Sequence, residues 1–169
     1  MKYYLSPSIL SADFAHLGDD IAATEKGGTQ YLHYDVMDGM FVPSISFGMP
    51  VLKSVRKITD LVLDVHLMIE DPDRYIDEFV KSGADIIMDH YEACKDVEKT
   101  IQMIREKGVK VGVTIKPKTP LSVLEPLLDK VDMILLMTVE PGFGGQAYIP
   151  ESTDKIRALR KMLNDRGLT

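Results

Sequence analysis

Short apolar runs rich in β-branched residues alternate along this chain with longer stretches of helical period, and that alternation constrains the fold more than any other feature. Residues 4–10, 31–37, 61–68, 85–90, 110–115 and 133–139 read as strands. Residues 16–27, 48–57, 71–83, 95–108, 120–130 and 151–167 read as the helices that follow them. Asp71 with Pro72 has the form of an N-cap and a first helical position, while Gly83, Gly108 and Gly167 stand where helices should stop. No linker or low-complexity segment interrupts the pattern, so residues 1–169 are expected to form one domain. Strands begin roughly 25 residues apart, close to the ~250 residues of a (β/α)8 barrel divided among its units, and at that pitch the chain holds about six. The alternation alone leaves a barrel and an open doubly wound sheet as equal alternatives.

A hydrophobic content of 45% is enough to build a substantial core. The net charge is −6, and the 20 basic residues are scattered among 26 acids, whereas a nucleic-acid surface needs clustered Lys and Arg. No apolar run is long enough to span a bilayer, and the opening MKYYLSPSIL lacks the apolar segment and cleavage site of a signal peptide. The single Cys94 can form no internal disulfide. These features predict a reducing, cytoplasmic compartment with neither nucleic acid nor membrane as partner.

Side chains two apart on a strand share a face, so His33, Asp35 and Met37 project together. Asp64, His66 and Met68 repeat the arrangement on the next apolar run. In parallel α/β proteins sites are built at the C-terminal ends of strands, where these residues fall. Two readings stand: each histidine is a satisfied core residue, or two imidazoles and a carboxylate begin a site for Zn2+, Fe2+, Mn2+ or Co2+. The loop VEPGFGGQAYIP, 139–150, carries three glycines ahead of a helix beginning near Glu151. It suits a phosphate cradled by backbone N–H groups, or else a plain flexible connection. Met37, Met68 and Met137 are core fillers or the apolar floor of a cavity. His16 is expected on a helix surface, His90 at the mouth of the site, and Cys94 as a structural or incidental thiol.

The segments SPSILSADF, LHYDVMDGMFVP, LDVHLMIEDP and MTVEPGFGGQAYIP, in this order and spacing, resemble the ribulose-phosphate 3-epimerase family along the whole chain. The resemblance implies a TIM (β/α)8 barrel of the ribulose-phosphate-binding type. It implies a divalent-metal isomerase of the pentose phosphate pathway, interconverting D-ribulose 5-phosphate and D-xylulose 5-phosphate through an enediolate. Carried over by motif, His33, Asp35 and His66 are the metal ligands and Asp35 is also an acid/base group. Ser8 and His66 contact substrate, Met37, Met68 and Met137 line the cavity, and Gly142, Phe143, Gly144 and Gly145 lie beside the phosphate. Epimerisation next to a ketone takes a proton from one face and returns one to the other, so it needs an acid/base group on each side.

The chain departs from the family pattern at Met40, where His is usual, and at Ser44, where Asn is usual. The resemblance also implies a seventh strand, supplying a fourth ligand and the second acid/base aspartate, and an eighth unit beside the phosphate. Both would follow Thr169. Strand edges left open at that point are expected to pair, so a homo-oligomer is expected. The alternative functions are an epimerase of another ketose phosphate, D-allulose 6-phosphate, and a non-catalytic sugar-phosphate or metal-binding fragment.

Overall fold

The computed structural model describes residues 3–168. Five strands, β1 (Tyr31–Met37), β2 (Val62–Met68), β3 (Ile86–His90), β4 (Lys110–Ile115) and β5 (Met133–Leu136), form one parallel sheet in chain order. Helices α1 (Leu17–Lys26), α2 (Met49–Arg56), α3 (Ile76–Lys81), α4 (Val97–Glu106) and α5 (Ser152–Asp165) punctuate them. Sequential parallel pairing through helical crossovers is the repeat of a (β/α) barrel. Gly83 and Gly108 have φ of 106° and 79° just past α3 and α4, the left-handed conformation that lets a helix stop.

The two faces of the sheet differ in kind. Leu32, Tyr34 and Val36 of β1, Leu63, Val65 and Leu67 of β2, Ile87 of β3 and Val111, Val113 and Ile115 of β4 belong to one buried cluster. Helix residues complete it, among them Ile21, Leu52, Val55, Ile76, Phe79, Ile101, Ile104 and Leu159. Each such side chain contributes on the order of 1.5–3 kcal/mol of burial, so this outer layer carries the stability of the fold. The opposite face holds the alternate residues, His33, Asp35 and Met37 beside Asp64, His66 and Met68, with Asp35 paired to His66 and Met37 to Met68 across β1 and β2. At Gly112 on β4 a Cβ would collide with the side chain of Met88, so glycine there gives this face room.

Several elements differ from the sequence expectation: β5 ends at Leu136, short of the expected 139, and the helix expected over 71–83 divides into a 3-10 turn, Pro72–Arg74, and α3. Residues 4–10 form no ladder strand. Leu5 and Pro7 carbonyls accept from the N–H groups of Tyr31 and His33, and Ser8 bridges His33, so the segment up to Ser8 is an extended edge along β1, and Ile9–Ser11 turn into a 3-10 helix. Pro7 has no N–H with which to extend the ladder. Residues 120–130 form 3-10 turns at Leu121–Leu124 and Leu128–Lys130 in place of a helix. Pro126 cannot donate to the carbonyl four residues back, and a continuous helix breaks there. Asp71 stands in the N-cap position of a 3-10 turn, Pro72–Arg74, with Pro72 first as expected, but it is left-handed, its side chain makes no capping bond, and its carboxylate pairs with Lys95 at 2.8 Å.

Candidate metal and substrate site

β1 and β2 run in register, with His33 opposite Asp64 and Asp35 opposite His66, so His33, Asp35 and His66 lie side by side. Nε2 of His33 and Nδ1 of His66 lie 3.2 and 2.9 Å from the same Asp35 oxygen, Oδ1. One donor atom from each of the three residues falls within 4.8 Å of the others. Each imidazole is held from behind. Nδ1 of His33 meets Asp64 Oδ1 at 3.0 Å, and that carboxylate accepts from Ser6 Oγ at 3.1 Å. Nε2 of His66 meets Nε2 of His90 at 2.9 Å. The other oxygen of Asp35 accepts from the Ser8 hydroxyl. Two nitrogens and one oxygen converging on one point, with rings fixed from outside, fit a borderline divalent ion.

The electrostatics follow from this packing. Burial opposes charge on Asp35, but hydrogen bonds from His33 and His66 outweigh it and hold the carboxyl far below its usual range. Burial likewise disfavours the charged form of His33, yet its bonds to Asp35 and Asp64 raise it to about 10. The two carboxylates thus favour a cation at His33, a proton on the metal-free imidazole that an ion ligated by Nε2 would replace. Burial depresses His66 to about 4 and leaves it neutral, the form that offers a lone pair.

A cavity of about 230 Å³ opens onto these atoms. Its lining includes Ser8, His33, Asp35, Met37, His66, Met68, Met137, Gly142, Phe143 and Gly144, so the structure brings together every sequence-derived site residue except Gly145. Gly145 lies beyond the lining, at φ 72° in a turn with no side-chain neighbour within reach of a Cβ. Met37 and Met68 pack with Val42 and are capped by Leu10 and Phe41, an apolar floor. The glycine loop is braced internally, with Gln146 Nε2 donating to the carbonyls of Glu140 and Phe143. Helix α5 begins only at Ser152, well past the glycines, so the loop backbone, and not that helix end, faces the cavity.

His90 is not at the mouth. It is 0% exposed, behind His66, with Phe41 against its ring. The sequence reading gave no role to Glu92 and none to Asp64 beyond its place in the stripe, although the signal was present: Asp64 shares a face with His66, and His90 and Glu92 repeat the two-residue spacing of His33 and Asp35. His16 is on the surface as expected, paired with Asp13 at 2.9 Å. Met40, where the family usually has His, is 73% exposed.

A sequence model of the ribulose-phosphate 3 epimerase family matches residues 4–169. The chain belongs to that family. It is 54% identical over 163 residues to a ribulose-phosphate 3-epimerase of Bacillus subtilis, covering 96% of this chain and 75% of the relative. It is 50% identical to the Synechocystis protein of the same name, covering 97% and 72%, and 47% identical to that of Escherichia coli, covering 98% and 74%. Among solved structures, 7,8-dihydropteroate synthase of Vibrio fischeri superposes with a TM-score of 0.59 at 16% identity, covering 98% of this chain and 68% of the other. A tryptophan synthase α-subunit from Pyrococcus furiosus gives 0.59 at 14% identity, covering 88% and 68%. These two likenesses speak to the barrel-type fold alone. No described helix is long and apolar enough to cross a membrane.

Proposed function

We propose that the chain epimerises a ketose phosphate at C3, interconverting D-ribulose 5-phosphate and D-xylulose 5-phosphate. The observation that carries the reading is the convergence of His33, Asp35 and His66 within 4.8 Å, in a cavity shared with a glycine-rich loop and a methionine floor. His33, Asp35 and His66 would hold one divalent ion, with Zn2+, Fe2+, Mn2+ and Co2+ all suited to two nitrogens and an oxygen. When bound, the ion supplies Lewis-acid stabilisation of negative charge on substrate oxygens.

The remaining steps belong to side chains. Asp35, kept ionised by its imidazole neighbours, takes the C3 proton and returns it in the reverse direction. Ser8 orients the carboxylate through its hydrogen bond. Met37, Met68 and Met137 keep water from the carbanionic carbon, and the backbone of Gly142, Phe143 and Gly144 receives the phosphate. Inversion needs an acid on the opposite face, which by the family resemblance would come from a seventh strand.

The test follows C3 chemistry separately from inversion. Metal-loaded protein is incubated in D2O with D-ribulose 5-phosphate, and in parallel with D-allulose 6-phosphate, and deuterium at C3 is read by NMR beside product formation. Metal-dependent exchange with the pentulose phosphate is expected. A folded, metal-loaded chain that exchanges nothing at C3 of either sugar sinks the proposal, and exchange with the hexulose phosphate alone reassigns the substrate.

A further inference from the structure

The loop between β5 and α5 is tied at its base and open along its length. The Ile149 N–H donates to the Thr138 carbonyl at 2.9 Å, and the Tyr148 hydroxyl meets Thr153 Oγ1 of α5 at 2.8 Å. Between the β5 end and these ties, the N–H groups of Gly142, Phe143, Gly144 and Gly145 have no hydrogen-bond partner among the described residues. Two carbonyls of the same loop are taken. Gln146 Nε2 donates to Glu140 O at 2.6 Å and to Phe143 O at 2.8 Å. Glu140, Gly142, Phe143 and Gly144 line the cavity that opens onto His33, Asp35 and His66, whereas Gln146 lies outside its lining.

Both partners of Nε2 are acceptors, so the orientation of the amide is fixed: only the amino group, with its two hydrogens, serves both. A peptide unit is planar and trans, and its C=O and N–H point in opposite directions. Holding the Phe143 carbonyl toward Gln146 therefore turns the Gly144 N–H, the other half of that unit, away from Gln146. The Glu140 unit differs, because Pro141 brings it no hydrogen. Turned inward, it would set a bare acceptor against an anion.

We propose that Gln146 is a positioning residue for the substrate phosphate: it holds the Glu140 and Phe143 carbonyls on the outside of the loop and leaves the cavity side to N–H groups. Glycines permit a close backbone approach, but glycine alone does not choose which way a peptide faces. The proposal rests on the phosphate reading of this loop and names the side chain that gives the loop its polarity.

The probe is inorganic phosphate, titrated into metal-free protein and followed by 31P NMR, so that no ion contributes to binding. Gln146→Met keeps the length of the side chain and loses both donors, while Gln146→Glu sets acceptors against the two carbonyls. Tyr148→Phe loosens the loop at Thr153 and touches neither carbonyl. In 15N-labelled wild type the Gly144 amide is read during the same titration, and KM and kcat for D-ribulose 5-phosphate are measured on metal-loaded protein.

Gln146→Met should weaken phosphate binding about tenfold, the scale of one or two ordinary hydrogen bonds, and Gln146→Glu at least as much. KM for the sugar phosphate should rise by the same factor. Tyr148→Phe should stay within about twofold of wild type, since an exposed neutral hydrogen bond distant from the carbonyls has little weight in the cradle. Phosphate bound as tightly by Gln146→Met as by wild type overturns the proposal. An equal loss in Tyr148→Phe also overturns it, because general order of the loop would then be what counts, and so does a fall in kcat with KM unmoved. Should the Gln146 variants not fold, a wild-type Gly144 amide that does not shift with phosphate overturns it by itself. The expected phosphate losses in a metal-loaded chain that exchanges nothing at C3 uphold the role of Gln146 and sink the epimerase reading instead.

Discussion

Asp35 and Asp89 are both buried carboxylates on the same sheet, at 8% and 2% exposure, and their states are opposite. Asp35 on β1 faces Ser8, His33 and His66 and is held ionised. On β3 the inward residue is His90, which meets His66, so Asp89 one position earlier points to the helices. Neither of its oxygens has a hydrogen-bond partner. Burial, with the nearby Asp73 carboxylate adding repulsion, pushes Asp89 up to about 8. The depth of the two residues is similar, so burial alone does not set the charge. The partners on the face that a side chain meets decide whether it is chemical equipment or a cost to the fold.

The largest way to break this contrast is to remove the function of the partnered carboxylate. Asp35→Asn should fold and lose at least ~1000-fold in C3 proton exchange, because an amide cannot accept the proton. Exchange within tenfold of wild type in D2O would take Asp35 out of the mechanism. His66→Ala should lower Zn2+ affinity by at least ~100-fold and reduce activity in step with metal occupancy, read by chelator competition and elemental analysis. Full occupancy in that variant contradicts the ligand assignment.

The outer face is tested through pH. Asp89 binds its proton more tightly folded than unfolded, from about 3.8 to about 8. Its favourable contribution is therefore complete below the unfolded value and lost as pH rises through the folded one. Wild-type stability should fall by up to about 1.4 kcal/mol per pH unit from this group between roughly pH 4 and 8. Asp89→Asn cannot ionise, so urea midpoints of the variant minus wild type should grow across that window. A difference that stays flat with pH would show that Asp89 is not neutral in the fold.

The smallest effect concerns Cys94, whose thiol burial and the Asp89 charge push up to about 12. It should resist iodoacetamide at pH 9, and Asp89→Asn should speed its alkylation about two- to fivefold. An unchanged rate would mean that the Asp89 charge does not reach the sulfur.

Residues that were legible in the sequence share a physical character: their signal is local. A period of two put His33, Asp35 and Met37 together on β1 and Asp64, His66 and Met68 together on β2, and the parallel register sets the two groups side by side on one face of the sheet. Helical period and terminal glycines located α1, α2 and α4 to within a residue or two. The misses arose where a proline inside an apolar run removes a backbone donor or where a neighbour distant in sequence decides. Pro7 and Pro126 broke regular elements that apolar pattern alone suggested, and Asp71 turned to Lys95 instead of capping its helix.

What the chain determined by itself is the order of strands and helices and the polar stripe that holds His33, Asp35 and His66, because side-chain alternation and residue chemistry are written along the backbone. What only the tertiary structure decided is which imidazole meets which carboxylate. His66 reaches Asp35 on one side and His90 on the other, and Glu92 reaches the Lys116 N–H, because parallel strands were brought into one particular register. Asp89 has no partner for the same reason, since the helices packed over it bring a second carboxylate and no hydrogen-bonded donor. Register and helix packing are set by burying the whole apolar layer at once, and no single stretch of sequence contains that sum.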